Sequence, residues 1–351
     1  MHSRLPLYLG CLRHRCLPRH TDRDAPVFRR STLAAATTSA VLVLSGCASA
    51  PEQAPEPAVA SDYACGQLKI RVAAVPERDL LGLDYRDKRI LLKPVDGDAS
   101  LFQAPGDRST HVQYRDGRAE LTIRGETYPE CLPPGALERS FTVRGSDPVW
   151  HARVAGDELI VSQPYEDQAP VRLSSRLANA DRHGREFIAE ADGLRATLTV
   201  ATQLCRDPVS GAQYPNQARL TLNGDSYTGC GGDPQRLIRG AEWAVTELSA
   251  QGIIDRSKVT LRFLDDHRVA GRASCNRFTG QYRLLDDGGI EFSELATARM
   301  ACAPSLMVQE ERFIGALERA SVMRIGQQGQ LVLSTSGNPL LTAAQSDQET
   351  P

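Results

Sequence analysis

From about residue 62 onward the apolar positions of this chain mostly alternate with polar ones. Gln67-Leu68-Lys69-Ile70-Arg71-Val72 and Ala119-Glu120-Leu121-Thr122-Ile123 set the pattern. Trp150-His151-Ala152-Arg153-Val154, Glu158-Leu159-Ile160-Val161 and Ala196-Thr197-Leu198-Thr199-Val200 repeat it. A period of two with frequent Gly, Asp and Pro between the runs predicts short strands joined by turns. Val259-Thr260-Leu261-Arg262-Phe263 and Val269-Ala270-Gly271-Arg272-Ala273 flank Asp265-Asp266-His267 and predict a hairpin, with a second turn at Asp286-Asp287-Gly288-Gly289. One stretch has a different period. From about Pro304 to Ala320, Leu306, Phe313, Ile314 and Leu317 fall on one side of a helix whose first turn tolerates the proline. The chain therefore reads as multi-domain and mainly β, with a single helix covering an antiparallel sheet in an α+β C-terminal domain.

The N-terminal segment follows neither pattern. Arg29 and Arg30 precede an apolar stretch from about Leu33 to Leu44, then Ser45, Gly46 and Cys47. That order reads as an export signal, and the apolar run is too short to span a bilayer. Arg29-Arg30 also faintly resembles a twin-arginine signal, although the flanking residues fit it poorly. Residues before about 24, including Cys11 and Cys16, fit neither a signal core nor a domain and point to a start codon further downstream. Leu44-Ser45-Gly46-Cys47 resembles the lipobox of bacterial lipoproteins. The resemblance implies that residues 1–46 are removed and that the Cys47 thiol takes a diacylglyceryl group. Each buried methylene contributes about 0.8 kcal/mol, so several acyl chains hold a protein on a membrane. Ala48 stands where an aspartate would retain such lipoproteins at the inner membrane, which implies the outer membrane, facing the periplasm. Residues 47–61 form the anchor and a Pro/Ala/Glu tether, able to reach roughly 40 Å at about 3.1 Å per extended residue.

A chain of 351 residues is long for one core. Pro133-Pro134-Gly135 and Gly231-Gly232-Asp233-Pro234 are turn and linker signals, and they divide the remainder into domains at 62–135, 140–233 and 235–345. Loss of residues 1–46 takes away seven arginines and two aspartates, which turns the formal charge of −2 into −7. Without a clustered basic patch this charge excludes nucleic acid as a partner and leaves a cationic protein partner open. Six cysteines remain beside Cys47: Cys65, Cys131, Cys205, Cys230, Cys275 and Cys302. Outside the cytoplasm they are expected to form disulfides, and their grouping favours three sequential pairs, one per domain. Each such loop is worth roughly 3–4 kcal/mol in the chain-entropy model.

No Cys-x-x-Cys occurs, and His111, His151, His183 and His267 are scattered, so no metal is indicated. There is no Gly-x-Ser-x-Gly elbow, phosphate loop or dinucleotide fingerprint, so neither a cofactor nor catalysis is called for. An enzyme reading, as cell-wall hydrolase or thiol oxidoreductase, requires a free low-pKa thiol or a solvent-facing pair of carboxylates. Cys275 lacks a base nearby, since His267 sits in a polar turn. Arg206 and Asp207 read as a surface ion pair, and Trp150 and Trp243 as core plugs.

Glu242-Trp243, Thr260-Leu261-Arg262-Phe263, Ser274-Cys275-Asn276-Arg277-Phe278-Thr279-Gly280, Ala296-Thr297 and Met300-Ala301-Cys302, then Gln309-Glu310 and Phe313, resemble the META domain of a heat-shock-associated lipoprotein family linked to novobiocin resistance. The resemblance implies envelope stress and antibiotic tolerance. Asn276 and Gly280 read as shaping a tight turn, with Asn276 and Arg277 as candidate ligand contacts. Tyr63-Ala64-Cys65 and Tyr128-Pro129-Glu130-Cys131 resemble the membrane-bound c-type lysozyme inhibitors, which implies a small β-barrel. In that family a Ser-Gly-x-x-Tyr loop and a Lys-Gly pair enter the lysozyme cleft. Here the aligned positions read Pro105-Gly106-Asp107-Arg108-Ser109 and Asp116-Gly117, so that Gly106 and Gly117 persist and Arg108 alone offers a cation. The middle domain, with Gly145-Ser146-Asp147-Pro148-Val149-Trp150 and Cys205-Arg206-Asp207-Pro208, resembles an uncharacterised envelope family. The expectation is a non-enzymatic, lipid-anchored envelope protein that binds a protein or cell-wall ligand, with lysozyme as the specific alternative partner.

Overall fold

The computed structural model describes residues 60–346, apart from 77, 116, 163–168, 192 and 336. Cys47, the export signal and nearly all of the tether lie outside the described residues, as does Asp116. Among the described residues no helix is long and apolar enough to cross a membrane. The architecture is mainly β with one α-helix, the class that the alternating pattern predicts.

In the first module the strands Ser61–Cys65, Leu68–Ala74, Leu81–Tyr85, Lys88–Val95, Asp98–Ala104, Asp107–Arg115 and Arg118–Ile123 pair antiparallel in chain order. The short strand Cys131–Leu132 pairs with both the first and the seventh, so the circuit closes and leaves no open sheet edge. Alternation decides the faces. Leu68, Ile70 and Val72 enter the core with Leu83, Leu92, Val112 and Leu121, while Lys69 and Arg71 face outward.

The middle module is a closed eight-stranded barrel, more regular than the β-rich domain expected from sequence. It runs from Phe141–Ser146 to Asp225–Gly231, and these two strands close the ring through Val143–Gly231 and Arg144–Cys230. Trp150 plugs its core and donates from Nε1 to Thr228 O at 3.1 Å.

In the third module the sheet order is Ile290–Thr297, Arg277–Leu284, Arg268–Ser274, Lys258–Phe263, Glu242–Leu248, Asn338–Ser346, Leu331–Thr335 and Val322–Ile325. A single bridge between Gly289 and Val322 brings its two edges together. Helix α1 (Pro304–Arg319) covers this sheet, with Phe313 packed edge-on against Phe278 at 5.2 Å. Its buried face is Gln309, Phe313, Ala316 and Leu317. Leu306 and Ile314, expected on that face, are only half-buried, and a glutamine takes the place of the expected apolar residue.

The three modules are clamped together, and the clamp is the segment read as a linker. Asp233 caps a short 3-10 helix, Pro234–Leu237, by accepting from Gln235 N. This turn drives Arg236 into the junction, where it is 8% exposed. Its guanidinium donates to Glu130 O at 2.7 Å and Ala64 O at 2.9 Å in the first module, and lies 3.5 Å from the Glu138 carboxylate. Gln67 N donates to Arg239 O, Arg86 Nη2 donates to Gly240 O, and Arg262 pairs with Glu126. Gly66, at φ +66°, lies so near the Arg239 carbonyl that a Cβ would stand 2.5 Å from its oxygen. Between the middle and third modules, the buried Gln213 amide donates to Ile325 O and accepts from Ile325 N, and so acts as a partner for the last strand of the sheet.

Candidate functional site

The structure joins Cys65 to Cys131, Cys205 to Cys230 and Cys275 to Cys302, with Cα separations of 4.0, 5.5 and 6.4 Å. The pairing is sequential, one bond per module, and none of these thiols is free. Cys65 and Cys131 face each other where the first barrel closes. Cys205–Cys230 holds a two-stranded flap, Cys205–Arg206 with Gln213–Tyr214, against the middle barrel. Asp207 beside it is no surface ion pair. It is 5% exposed and accepts from Val209 N, Ser210 N and Ser210 Oγ, so it shapes the flap's turn. Among the described residues, no three His, Cys, Asp or Glu side chains are grouped to hold a metal.

The two inhibitor-like loops do not converge. Gly106, at φ +81°, turns the chain into the strand Asp107–Arg115, and Gly117, at φ +73°, turns it out again. Nine extended residues separate these turns, a span of roughly 30 Å, and successive turns of an up-and-down barrel lie at opposite ends. The turn that shares Gly117's end is instead Gly97, just ahead of Asp98. Arg108 is exposed at the far end, beside Asp107, whose carboxylate accepts from Ser109 and Thr110. These positions thus form no common surface for one cleft.

Asn276 and Arg277 also part company. Asn276 is 3% exposed and does not make a left-handed turn; Ser274, at φ 111°, takes that role. The Asn276 amide donates to Glu310 Oε1 at 3.1 Å and Met300 O at 3.3 Å and accepts from Met300 N at 3.0 Å, while Asn276 N donates to Glu310 Oε2 at 2.9 Å. It is the junction of strand, loop and helix α1. Arg277 points outward and lines a small hollow of about 240 Å³ with Arg262 and Arg272. Gly280 sits in a strand irregularity rather than a turn, where a Cβ would come within 2.6 Å of the tip of Leu295 and displace it.

The largest cavity, about 1160 Å³, lies between the first and middle modules. Its first wall is the outer face of the first barrel. Strand register puts Asp62 opposite Arg71, Arg71 opposite Asp84, and Asp84 opposite Arg89, which makes a ladder of alternating charge. Arg71 Nε meets Asp62 at 2.9 Å, and Arg89 meets Asp84 through two bonds at 2.6 and 2.7 Å. The opposing wall is the tip of the hairpin formed by Val171–Asp181 and Gly184–Ala191, with Arg182, and the nearby Leu204 and Pro215. This tip rests on Gly135, whose φ of +72° and missing side chain admit the backbone of Asp181 and Arg182. Arg236 and Glu138 line the same cavity, so the clamp on the first module lies at the cleft's border.

The bidentate-type contact of Arg71 holds the Asp62 carboxyl below the usual range, and that of Arg89 does the same for Asp84. Hydrogen bonds from Ser109 and Thr110 depress Asp107 likewise, and at Asp207 burial works to raise the carboxyl but is outweighed by the Ser146 hydroxyl together with the donors of Ser210 and Val209. A carboxyl depressed in the folded state stabilises above its unfolded pKa of about 3.9, and that stability is lost as pH falls through the folded value. Resistance to urea is therefore expected to stay level from neutral pH to about 5 and to fall steeply below about 4, as followed by tryptophan fluorescence. A midpoint unchanged at pH 3 would contradict this.

Three closed or nearly closed β modules, each cross-linked by one disulfide, with a cleft between the first two, define a modular, mainly β protein. Its C-terminal part is recognisable: residues 235–347 match the family model described as the META domain. No curated protein is significantly similar to the chain. Two solved structures are similar at 22% identity and a TM-score of 0.27, each over 32% of this chain. One, titled "NMR structure of the protein from Burkholderia xenovorans", is covered over 86% of its length, and the other, "NMR structure of the protein", over 94%.

Proposed function

We propose that this chain is a lipid-anchored envelope protein, held at the outer membrane through Cys47, that captures a ligand between its first and middle modules without turning it over. The observation that carries the reading is the cleft of about 1160 Å³, whose two walls belong to separate modules and whose border carries Arg236 with its partners. A concave site of this size with a few convergent charged groups is the usual form of a binding site. The META match at residues 235–347 and the lipobox-like Leu44-Ser45-Gly46-Cys47 support an envelope setting.

The test uses the full chain in intact bacterial envelopes. Leu204 lines the cleft and is 42% exposed, so a photo-crosslinking residue placed there faces any occupant. Val209, 70% exposed and outside the cleft, is the matched control. Adducts are expected at Leu204 and not at Val209. Equal yields at the two positions, or none at Leu204, would refute the reading.

A further inference from the structure

The cleft walls carry charge of both signs, but the balance is not even. The first wall carries more cations than the acids Asp62, Asp84 and Asp87 beside them, and Arg182 adds another from the opposing wall, in a protein whose exported form is acidic overall. Much of this charge is neutralised internally. The Asp62–Arg71 and Asp84–Arg89 pairs satisfy one another, and Arg236 is met by Glu138 and two carbonyls. Lys69 on one wall and Arg182 on the other are exposed, and among the described residues neither has an acidic partner. Arg86 and Glu138 are turned inward, and their unpaired atoms, Nη1 and Oε2, are shut off from solvent, so Lys69 and Arg182 are the groups the cleft presents to an occupant.

We infer that the cleft between the first and middle modules binds an extended acidic peptide, its carboxylates taken by Lys69 on one wall and Arg182 on the other. The inference rests on the binding function proposed above and names the chemistry of the occupant. Two features select a peptide over a phosphate-bearing ligand. The densely placed negative charge of a phosphate would meet Asp62, Asp84 and Asp87 on the first wall, while carboxylates spaced by neutral residues can fall between them. Finally, Pro133, Pro134, Leu204 and Pro215 give the cleft apolar surface that suits the aliphatic parts of a peptide.

The test measures binding of a short fluorescein-labelled Glu-Ala peptide to the full mature protein by fluorescence anisotropy, beside the same peptide with Gln for Glu and beside inositol hexakisphosphate as competitor. The Glu peptide should bind with an affinity that falls as salt rises, and the Gln peptide should not. Lys69→Glu with Arg182→Glu, both at exposed positions that leave the core untouched, should weaken binding by about tenfold or more with unchanged circular dichroism. Equal binding of the two peptides, displacement by the hexakisphosphate at lower concentration than by unlabelled Glu peptide, or an unaltered double variant would overturn the inference. If Leu204 still crosslinks envelope material while the Glu peptide fails to bind, the acidic-peptide assignment falls and the binding function stands. If both fail, both fall.

Discussion

Replacing Arg236 with methionine is expected to destabilise the protein by about 3–5 kcal/mol and to break a single unfolding transition into two. Methionine keeps most of the side-chain volume, so the loss is one of bonds and not of packing. The Ala64 and Glu130 carbonyls and the Glu138 carboxylate all lose their donor in a site that water barely reaches. Burial lowers the guanidinium's own pKa, with Glu138, Asp233 and Glu130 opposing the shift, and a guanidinium stays charged throughout the neutral range. The two tryptophans of the chain report on different modules, Trp150 on the middle barrel and Trp243 on the third. Urea titration of the intact chain should be followed by fluorescence and far-ultraviolet circular dichroism together, since the first module has no tryptophan. Arg71→Met is the control, because its pair with Asp62 is exposed and screened by water, so its loss should leave the midpoint nearly unchanged. An Arg236 variant as stable as the Arg71 variant would show that the modules are independent.

The strands were legible because their faces differ in solvent: Leu68, Ile70 and Val72 alternate with Lys69 and Arg71 in the sequence as they do between core and surface. Helix α1 was legible for the same reason at a longer period, except at Gln309. Its amide is buried, yet it donates to Ser257 Oγ and Ser274 Oγ and accepts from Ile254 N, contacts made by residues more than thirty positions away. A polar residue that finds such partners has no local signature. The same holds for Arg236. Gly232-Asp233-Pro234 was rightly read as a turn, since Asp233 caps and Pro234 begins a helix, but a turn motif says nothing of what will close around the next residue.

The cleft was missed because its residues come from distant stretches of chain. Asp62, Arg71, Asp84 and Arg89 become a ladder only once the strand register is known, and Arg182 joins them from another module. The separation of Gly106 and Gly117, by contrast, was accessible. A single strand, Asp107–Arg115, joins the two loops, and one strand between two turns puts the turns at opposite ends.

Asn276→Leu should cost about 3 kcal/mol without any change at the cleft, measured as a lowered urea midpoint with unaltered peptide binding. The leucine removes an amide that serves as both donor and acceptor, leaving Met300 N, Met300 O and Glu310 Oε1 without it beneath helix α1. Arg277→Ala, next in sequence but exposed, should stay within about 0.5 kcal/mol. Asn276→Asp separates hydrogen bonding from shape. It is nearly isosteric, but it sets a second carboxylate against Glu310, and two carboxylates sharing a buried site cannot both ionise cheaply. Its deficit should be large at pH 7 and shrink as pH falls toward 5, because the shared proton then costs less to bind, over a range in which the wild type stays level. A ligand-contacting asparagine would behave otherwise: its substitution would leave the midpoint in place at every pH and alter only what the protein binds.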